Sequence, residues 1–319
     1  ALGSTSWYLR ALRDEGAMAE SLAGVLSSSR YAVDLLLRAP QTAQLLADAD
    51  HLTRTQEEIL HEMTTSAKRH DDPNAAVEAI RGVRRKELLR IAIADLLGRM
   101  DVVAVGDGLS DVMSASIDAA LEVARREHPD APALAVIALG RWGGRELSYS
   151  SDADGMVVIG DSDDPEAVAR GIKLVTRLRE LLRRPGADPA VELDLDLRPE
   201  GKGGPIVRTL ASYTAYYEKW SSTWEAQALV RAGHGAGDRE LSASLLAVVD
   251  RVRHPEGGIA PRQVTEIRKL KARMENERMP RGTDPRRHVK LGSGGLSDVE
   301  WCVQLLQLEF SHEAPSLRT

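Results

Sequence analysis

Leu134-Ala135-Val136-Ile137-Ala138-Leu139-Gly140-Arg141-Trp142-Gly143-Gly144-Arg145-Glu146-Leu147-Ser148-Tyr149-Ser150-Ser151-Asp152-Ala153-Asp154-Gly155-Met156-Val157-Val158-Ile159 is the stretch that decides the fold. Its first part, Ala133 to Leu139, is a short unbroken apolar run between Pro132 and Gly140, the signature of a buried strand. A glycine turn follows, Gly143-Gly144, then seven residues, then Asp152-Ala153-Asp154 leading into a second apolar run that ends at Gly160. Alternate side chains of a strand point the same way, so Asp152 and Asp154 project together from one face. Like charges held that close repel unless a cation joins them. Clustered hard oxygen ligands suit Mg²⁺, above all when substrate phosphates complete the coordination shell.

Downstream, Asp161 to Asp164 reads as an acidic turn, Pro165 as the first position of a helix, and Glu166 to Arg184 as that helix, with basic residues in its last turns. Val191 to Leu197 reads as another strand and carries Asp194. An unpaired charge in an apolar strand is costly to bury, which favours a ligand role for Asp194. Asp196 has the same parity and is a rival for it. The loop Arg198-Pro199-Glu200-Gly201-Lys202-Gly203-Gly204-Pro205 is basic and glycine-rich. Arg198 and Lys202 in it are candidates to neutralise a triphosphate, with Arg208 beyond them. Gly143-Gly144 is expected to open a short helix through Arg145-Glu146-Leu147 and to admit a phosphate to its free N–H groups. Three convergent acids beside a glycine turn suggest metal-assisted nucleotidyl transfer.

The flanks read as helical. Residues 1 to about 128 predict a helical bundle, with helices over Ser29 to Arg38, Val77 to Leu97 (broken at Gly98) and Ser110 to Glu127. Two short helices, Ser212 to Trp220 and Ser222 to Arg231, close the central module, and Trp220 and Trp224 read as their packing residues. Gly233 to Gly258 reads as a helix and loop, and Arg262 to Met279 as a helix. Arg281, Arg286, Arg287, His288 and Lys290 read as an exposed basic loop. After a break at Gly292 to Gly295, the spacing Ser297-x-x-Glu300 predicts a capping box, with Glu300 as its acid. The fold class is therefore α+β and mostly helical. It divides into a helical region at 1–128, a nucleotidyltransferase-type α/β module at 129–232, and a helical region at 233–319 that reads as truncated.

Composition removes several alternatives. A formal charge of -6 argues against general nucleic-acid binding through phosphate contacts. No apolar run approaches the roughly 20 residues that span a bilayer. The single Cys302 excludes an internal disulfide framework and fits a reducing cytoplasm. No signal peptide is visible, and a chain that starts without Met and stops soon after a helical pattern reads as an excised fragment. The eight histidines, His51 among them, form no H-x-x-x-H pair, and there is no Cys cluster, so a zinc site is not expected. Neither a G-x-S-x-G elbow nor a P-loop spacing occurs.

Several stretches together resemble the bifunctional glutamine synthetase adenylyltransferase/deadenylylase family. They are Leu139 to Leu147, Tyr149 to Asp154, Asp194-x-x-x-Arg198-Pro199-x-Gly201-x-x-Gly204-Pro205, Thr223-Trp224-Glu225-Ala226-Gln227-Ala228-Leu229, and Gly294-Gly295-Leu296-Ser297-Asp298-Val299-Glu300. The resemblance implies that Asp152, Asp154 and Asp194 are the metal-binding and catalytic acids. Gly143, Gly144, Ser151, Arg198 and Lys202 are the candidate nucleotide contacts. The resemblance further implies Mg²⁺ (with Mn²⁺ as a substitute), ATP as substrate, glutamine synthetase as protein partner, and a PII signalling protein as a further partner by analogy. Where the family usually has a branched apolar residue after the second acid, this chain has Gly155, which leaves strand packing there in question. The family holds two such catalytic halves. Thr223 to Leu229 looks like the pattern of the adenylylating half rather than the deadenylylating one, and a catalytically silent nucleotide sensor is the reading from a different class.

Overall fold

A computed structural model describes residues 16–46, 54–186 and 188–318. Expectations for the first fifteen residues and for 47–53, including His51, lie outside the described residues.

The chain enters through helices α1 (Gly16–Ser28), α2 (Arg30–Arg38), α3 (Gln56–Ala67), α4 (Pro73–Leu96) and α5 (Val102–Glu127). Local signals start and stop them. Ser29, Thr55, Asp72 and Asp101 each accept a backbone N–H of the first turn. Pro73 sits at the head of α4, and Gly98 takes a left-handed φ of 66° just beyond its end. The cap at Asp101 starts α5 eight residues ahead of the predicted Ser110, because Gly106 and Gly108 lower the helix propensity of the stretch between them.

Next come β1 (Leu134–Ala138), the one-turn α6 (Gly140–Gly143), β2 (Ala153–Ile159), α7 (Ala167–Arg183), β3 (Leu193–Asp194), β4 (Val207–Thr209), α8 (Leu210–Lys219), α9 (Thr223–Leu229) and β5 (Gly233–Gly237). The chain then closes through α10 (Arg239–Arg253), α11 (Pro261–Arg278) and α12 (Leu296–Phe310). The sheet order is β3-β2-β1-β5, with β4 also paired to β2. β1 runs antiparallel to β2 and β5, and β2 runs parallel to β3 and β4. The protein is thus α+β, mostly helical, around a small mixed sheet.

The apolar runs are unbroken because both faces of the sheet are covered. Leu134, Val136, Val157 and Ile159 belong to the core shared with α4, α5 and α7. Ala135, Ile137, Met156 and Val158 face the opposite way, into a core with Tyr213, Tyr217, Leu245 and Val249 of α8 and α10. Full burial of an aliphatic side chain stabilises by about 1.5–3 kcal/mol, so both faces contribute strongly. Tyr213 is buried with its hydroxyl donated to the Val157 carbonyl at 3.0 Å.

Further features differ from the sequence reading. Residues 233–237 form β5 instead of helix or loop, so the sheet extends past residue 232. Glycine-rich Gly233-His234-Gly235-Ala236-Gly237 has poor strand propensity, and its pairing with β1 overrides that. Strand β3 is only two residues long where Val191 to Leu197 promised seven, because the chain turns at Asp194, whose Oδ1 accepts the Asp196 N–H at 2.7 Å. Pro165 lies in the turn before α7, where Asp164 accepts the Glu166 N–H. Trp220 is 73% exposed and does not pack a helix interface.

Candidate active site

Register builds the acidic centre. Ala153 pairs with Leu193 and Asp154 with Asp194 across the parallel β2–β3 ladder, which places those two carboxylates side by side. Asp152 stands one residue ahead of β2 and turns its side chain to the same point. The three residues present carboxylate oxygens within 4.8 Å of one another. Asp152 is exposed, and Asp154 and Asp194 are half-buried. The Asp154 carboxyl is pushed up to about 6, first by burial, then by the charges of Asp152 and Asp194, with Glu300 adding and Lys290 opposing. A donor set made only of mutually repelling carboxylate oxygens fits a hard divalent cation such as Mg²⁺.

The turn between β1 and β2 holds Asp154 in place. The Leu139 N–H donates to the Asp154 carbonyl at 2.8 Å. Gly140 takes φ 55°, and a Cβ there would stand 3.0 Å from Asp154 Oδ2. Gly140 is a site residue that the sequence reading left unassigned; its signal was a glycine directly at the end of a buried strand.

The glycine pair plays a different part from the one expected. Gly143 and Gly144 close α6 instead of opening a helix, and their N–H groups are bound to the carbonyls of Leu139 and Gly140. They are therefore not free donors for a phosphate. Their missing side chains make room for Arg231: a Cβ on Gly143 would lie 2.0 Å from the Arg231 carbonyl, and one on Gly144 would lie 2.7 Å from Arg231 Cδ.

Trp142 anchors the same turn. Its buried indole donates Nε1–H to Ser114 Oγ at 2.9 Å. The ring passes 3.5 Å from the position of a Gly155 Cβ and 2.6 Å from that of a Gly235 Cβ, and Gly235 is the extra residue of a bulge opposite Val136 and Ile137. The packing missing at Gly155 is thus supplied by an indole from the adjoining turn.

The remaining candidates are not gathered at the acids. Arg198 is buried, and its guanidinium donates to the carbonyls of Gly204, Leu195 and Lys202. It folds its own loop, because a buried guanidinium takes whatever acceptors surround it. Lys202 is exposed and pairs with Asp196 at 3.1 Å. Asp196 also lies 3.5 Å from Arg198, so it belongs to this loop and not to the acidic cluster. Arg208 pairs with Glu200. Ser151 Oγ accepts the Ser148 N–H at 3.0 Å and shapes the approach to Asp152.

Glu300 does not cap a helix. Gly295 is the N-cap of α12, Asp298 accepts the Gly294 N–H at 2.7 Å, and Glu300 accepts from Arg231. Arg231, 8% exposed, also donates to Glu146. One buried arginine therefore ties the glycine turn to α12, a link invisible to local spacing because its partners lie 85 and 69 residues away.

The family model for glutamate-ammonia ligase adenylyltransferase matches residues 19–248. The whole chain is 58% identical to a bifunctional glutamine synthetase adenylyltransferase/adenylyl-removing enzyme of Cutibacterium acnes, covering 32% of that protein. It is 49% identical over its whole length to the enzyme of that name from Streptomyces coelicolor, covering 34% of it. With that of Mycobacterium tuberculosis H37Rv it shares 48% identity over 99% of the chain and 33% of the relative. The chain spans about a third of the length of these relatives. It belongs to the glutamate-ammonia ligase adenylyltransferase family.

Proposed function

We propose that this chain transfers AMP from ATP to a tyrosine hydroxyl of glutamine synthetase, in the cytoplasm. The observation that carries the reading is the meeting of Asp152, Asp154 and Asp194 carboxylates within 4.8 Å, in a chain of this family. These three residues would hold Mg²⁺, which when bound neutralises phosphate charge and orients the α-phosphate. The tyrosine oxygen attacks the α-phosphorus, and pyrophosphate leaves with the electron pair of the broken P–O bond. A free tyrosine has a pKa near 10 and needs help to lose its proton. Asp194 would accept or orient that proton while ligating the metal; its Oδ1 accepts the Asp196 N–H at 2.7 Å, which orients the carboxylate.

The direction assigned is adenylylation, and it rests on the resemblance of Thr223 to Leu229. In the structure these residues serve packing: buried Glu225 accepts from Tyr216 at 2.8 Å and from Ser222, and Gln227 bonds Gln304. The test is intact-protein mass after incubating the chain with unmodified glutamine synthetase, ATP and Mg²⁺, and separately with adenylylated glutamine synthetase and phosphate. A gain of one AMP in the first supports the reading. Loss of AMP in the second without gain in the first reverses the direction. No change in either, with ATP still bound, gives the silent sensor.

A further inference from the structure

We infer that Arg231 is a positioning residue of the acidic centre: by gripping the turn between β1 and β2, it fixes the Asp154 carboxylate where a divalent cation is to be held. The inference deepens the adenylyl-transfer reading and rests on it. The turn is strained. Gly140 has φ 55° and Arg145 has φ 58°, a left-handed backbone that a residue with a side chain keeps only where its surroundings impose it. Two arginines supply that restraint. Arg145 itself donates to Asp107 at 2.6 Å and to Asp111 at 2.8 Å, both on α5. Arg231 donates through Nη1 to Glu146 of the turn and through Nη2 to Glu300 of α12.

The backbone on which Arg231 sits is itself fixed. Buried Arg253 donates to the Ala232 carbonyl at 2.6 Å, and Gly233 pairs with Ala138 at the end of β1. The Arg231 carbonyl and stem lie against Gly143 and Gly144, where a Cβ would collide with them. The Gly144 N–H donates to the Gly140 carbonyl at 3.1 Å, Gly140 stands against Asp154 Oδ2, and the Leu139 N–H donates to the Asp154 carbonyl at 2.8 Å. An unbroken series of contacts therefore runs from the arginine stem to the carboxylate. Arg231 is buried, and its Nε–H meets no acceptor among the described residues, so the two carboxylates set its orientation. A planar fork can hold one carboxylate on each terminal nitrogen at once. Without that fork the strained turn is free to relax, and Gly140 no longer confines the Asp154 side chain.

Calorimetric titration of the chain with Mn²⁺, without nucleotide, reads the centre directly, and thermal unfolding in EDTA reads stability separately. Arg231→Met keeps the stem and removes the fork. It is expected to weaken Mn²⁺ binding by roughly tenfold or more, the scale seen when a group that orients metal ligands is lost. The sign is diagnostic: removing a positive charge would by Coulomb's law alone strengthen the binding of a cation. Glu300→Gln, which loosens one side of the grip, is expected to give a smaller loss of the same sign. Met63→Ala, in the buried core at α3, is the control for stability: it should lower the melting temperature and leave Mn²⁺ affinity as in the parent. Unaltered or tighter Mn²⁺ binding in Arg231→Met overturns the inference, whatever the melting temperature. Should that variant not fold, unaltered affinity in Glu300→Gln overturns it instead. If the parent chain itself binds no Mn²⁺, the metal reading of the three acids falls first; binding by parent and variants alike leaves that reading standing and removes only the part given to Arg231.

Discussion

Asp154 and Asp194 are register partners on adjacent parallel strands, so the backbone ladder itself forces their carboxylates together. Side-chain rotation cannot relieve that repulsion fully, and Asp152 adds to it from the turn. The folded state carries a cost at this site that a bound cation would offset.

Asp154→Asn and Asp152→Asn are each expected to abolish AMP transfer while leaving the fold intact. The pH dependence carries the sign. Asp154 rises from 3.8 to about 6 on folding, so the native state binds its proton more tightly than the unfolded chain. The contribution of this group to stability is then greatest below about pH 4 and is lost as pH rises through about 6. In EDTA, Asp154→Asn should melt above the parent at pH 7.5, and the gap should shrink toward pH 4.5. Scanning calorimetry at both values checks it; a constant gap contradicts the assignment.

Asp194→Asn is expected to lose single-turnover AMP transfer, whereas Asp196→Asn should retain it within several-fold. Asp194 stands in the acidic cluster, while Asp196 pairs with Lys202 and Arg198. Loss of activity in Asp196→Asn alone would exchange the two roles.

Gly143→Ala is expected to destabilise the chain by about 3 kcal/mol or more, at the upper end of the usual cost of overpacking. The new methyl would meet two backbone carbonyls, of Arg231 and Ala138, which cannot step aside as a side chain would. Gly203→Ala, where a Cβ meets nothing, is the control, and urea midpoints compare the two. Equal midpoints would show that the turn can open without cost.

Trp142→Phe should cost about 1 kcal/mol for the indole N–H bond to Ser114. Trp142→Ala should cost about 3–5 kcal/mol for the void left between Gly155 and Gly235. Equal losses by urea unfolding would show that the ring fills no space that matters.

Much of this was legible from local pattern. The apolar runs at 134–139 and 156–159 gave β1 and β2, and alternation put Asp152 and Asp154 on one face. Helix caps such as Asp72 and Ser29 announce themselves within four residues. What local pattern missed was decided at a distance. The Gly143-Gly144 pair looked like a phosphate cradle because the chain that fills it, at Arg231, lies far along the sequence. Glu300 had capping spacing but a stronger partner in that same arginine. Arg198 looked available because spacing says nothing about which carbonyls will surround a side chain. Strand β5 has few residues that favour a strand and exists because β1 has an edge to pair.

The indole at Trp142 has a spectroscopic consequence. It is shielded from water and lies against the strand residue that follows Asp154, whereas Trp220 is 73% exposed. Its emission should be blue-shifted and insensitive to external quenchers, while that of Trp220 should be red-shifted and readily quenched. In a chain whose Trp7, Trp224 and Trp301 are replaced by phenylalanine, the fluorescence that survives iodide quenching of Trp220 becomes an intrinsic optical report on the strand that carries the acids.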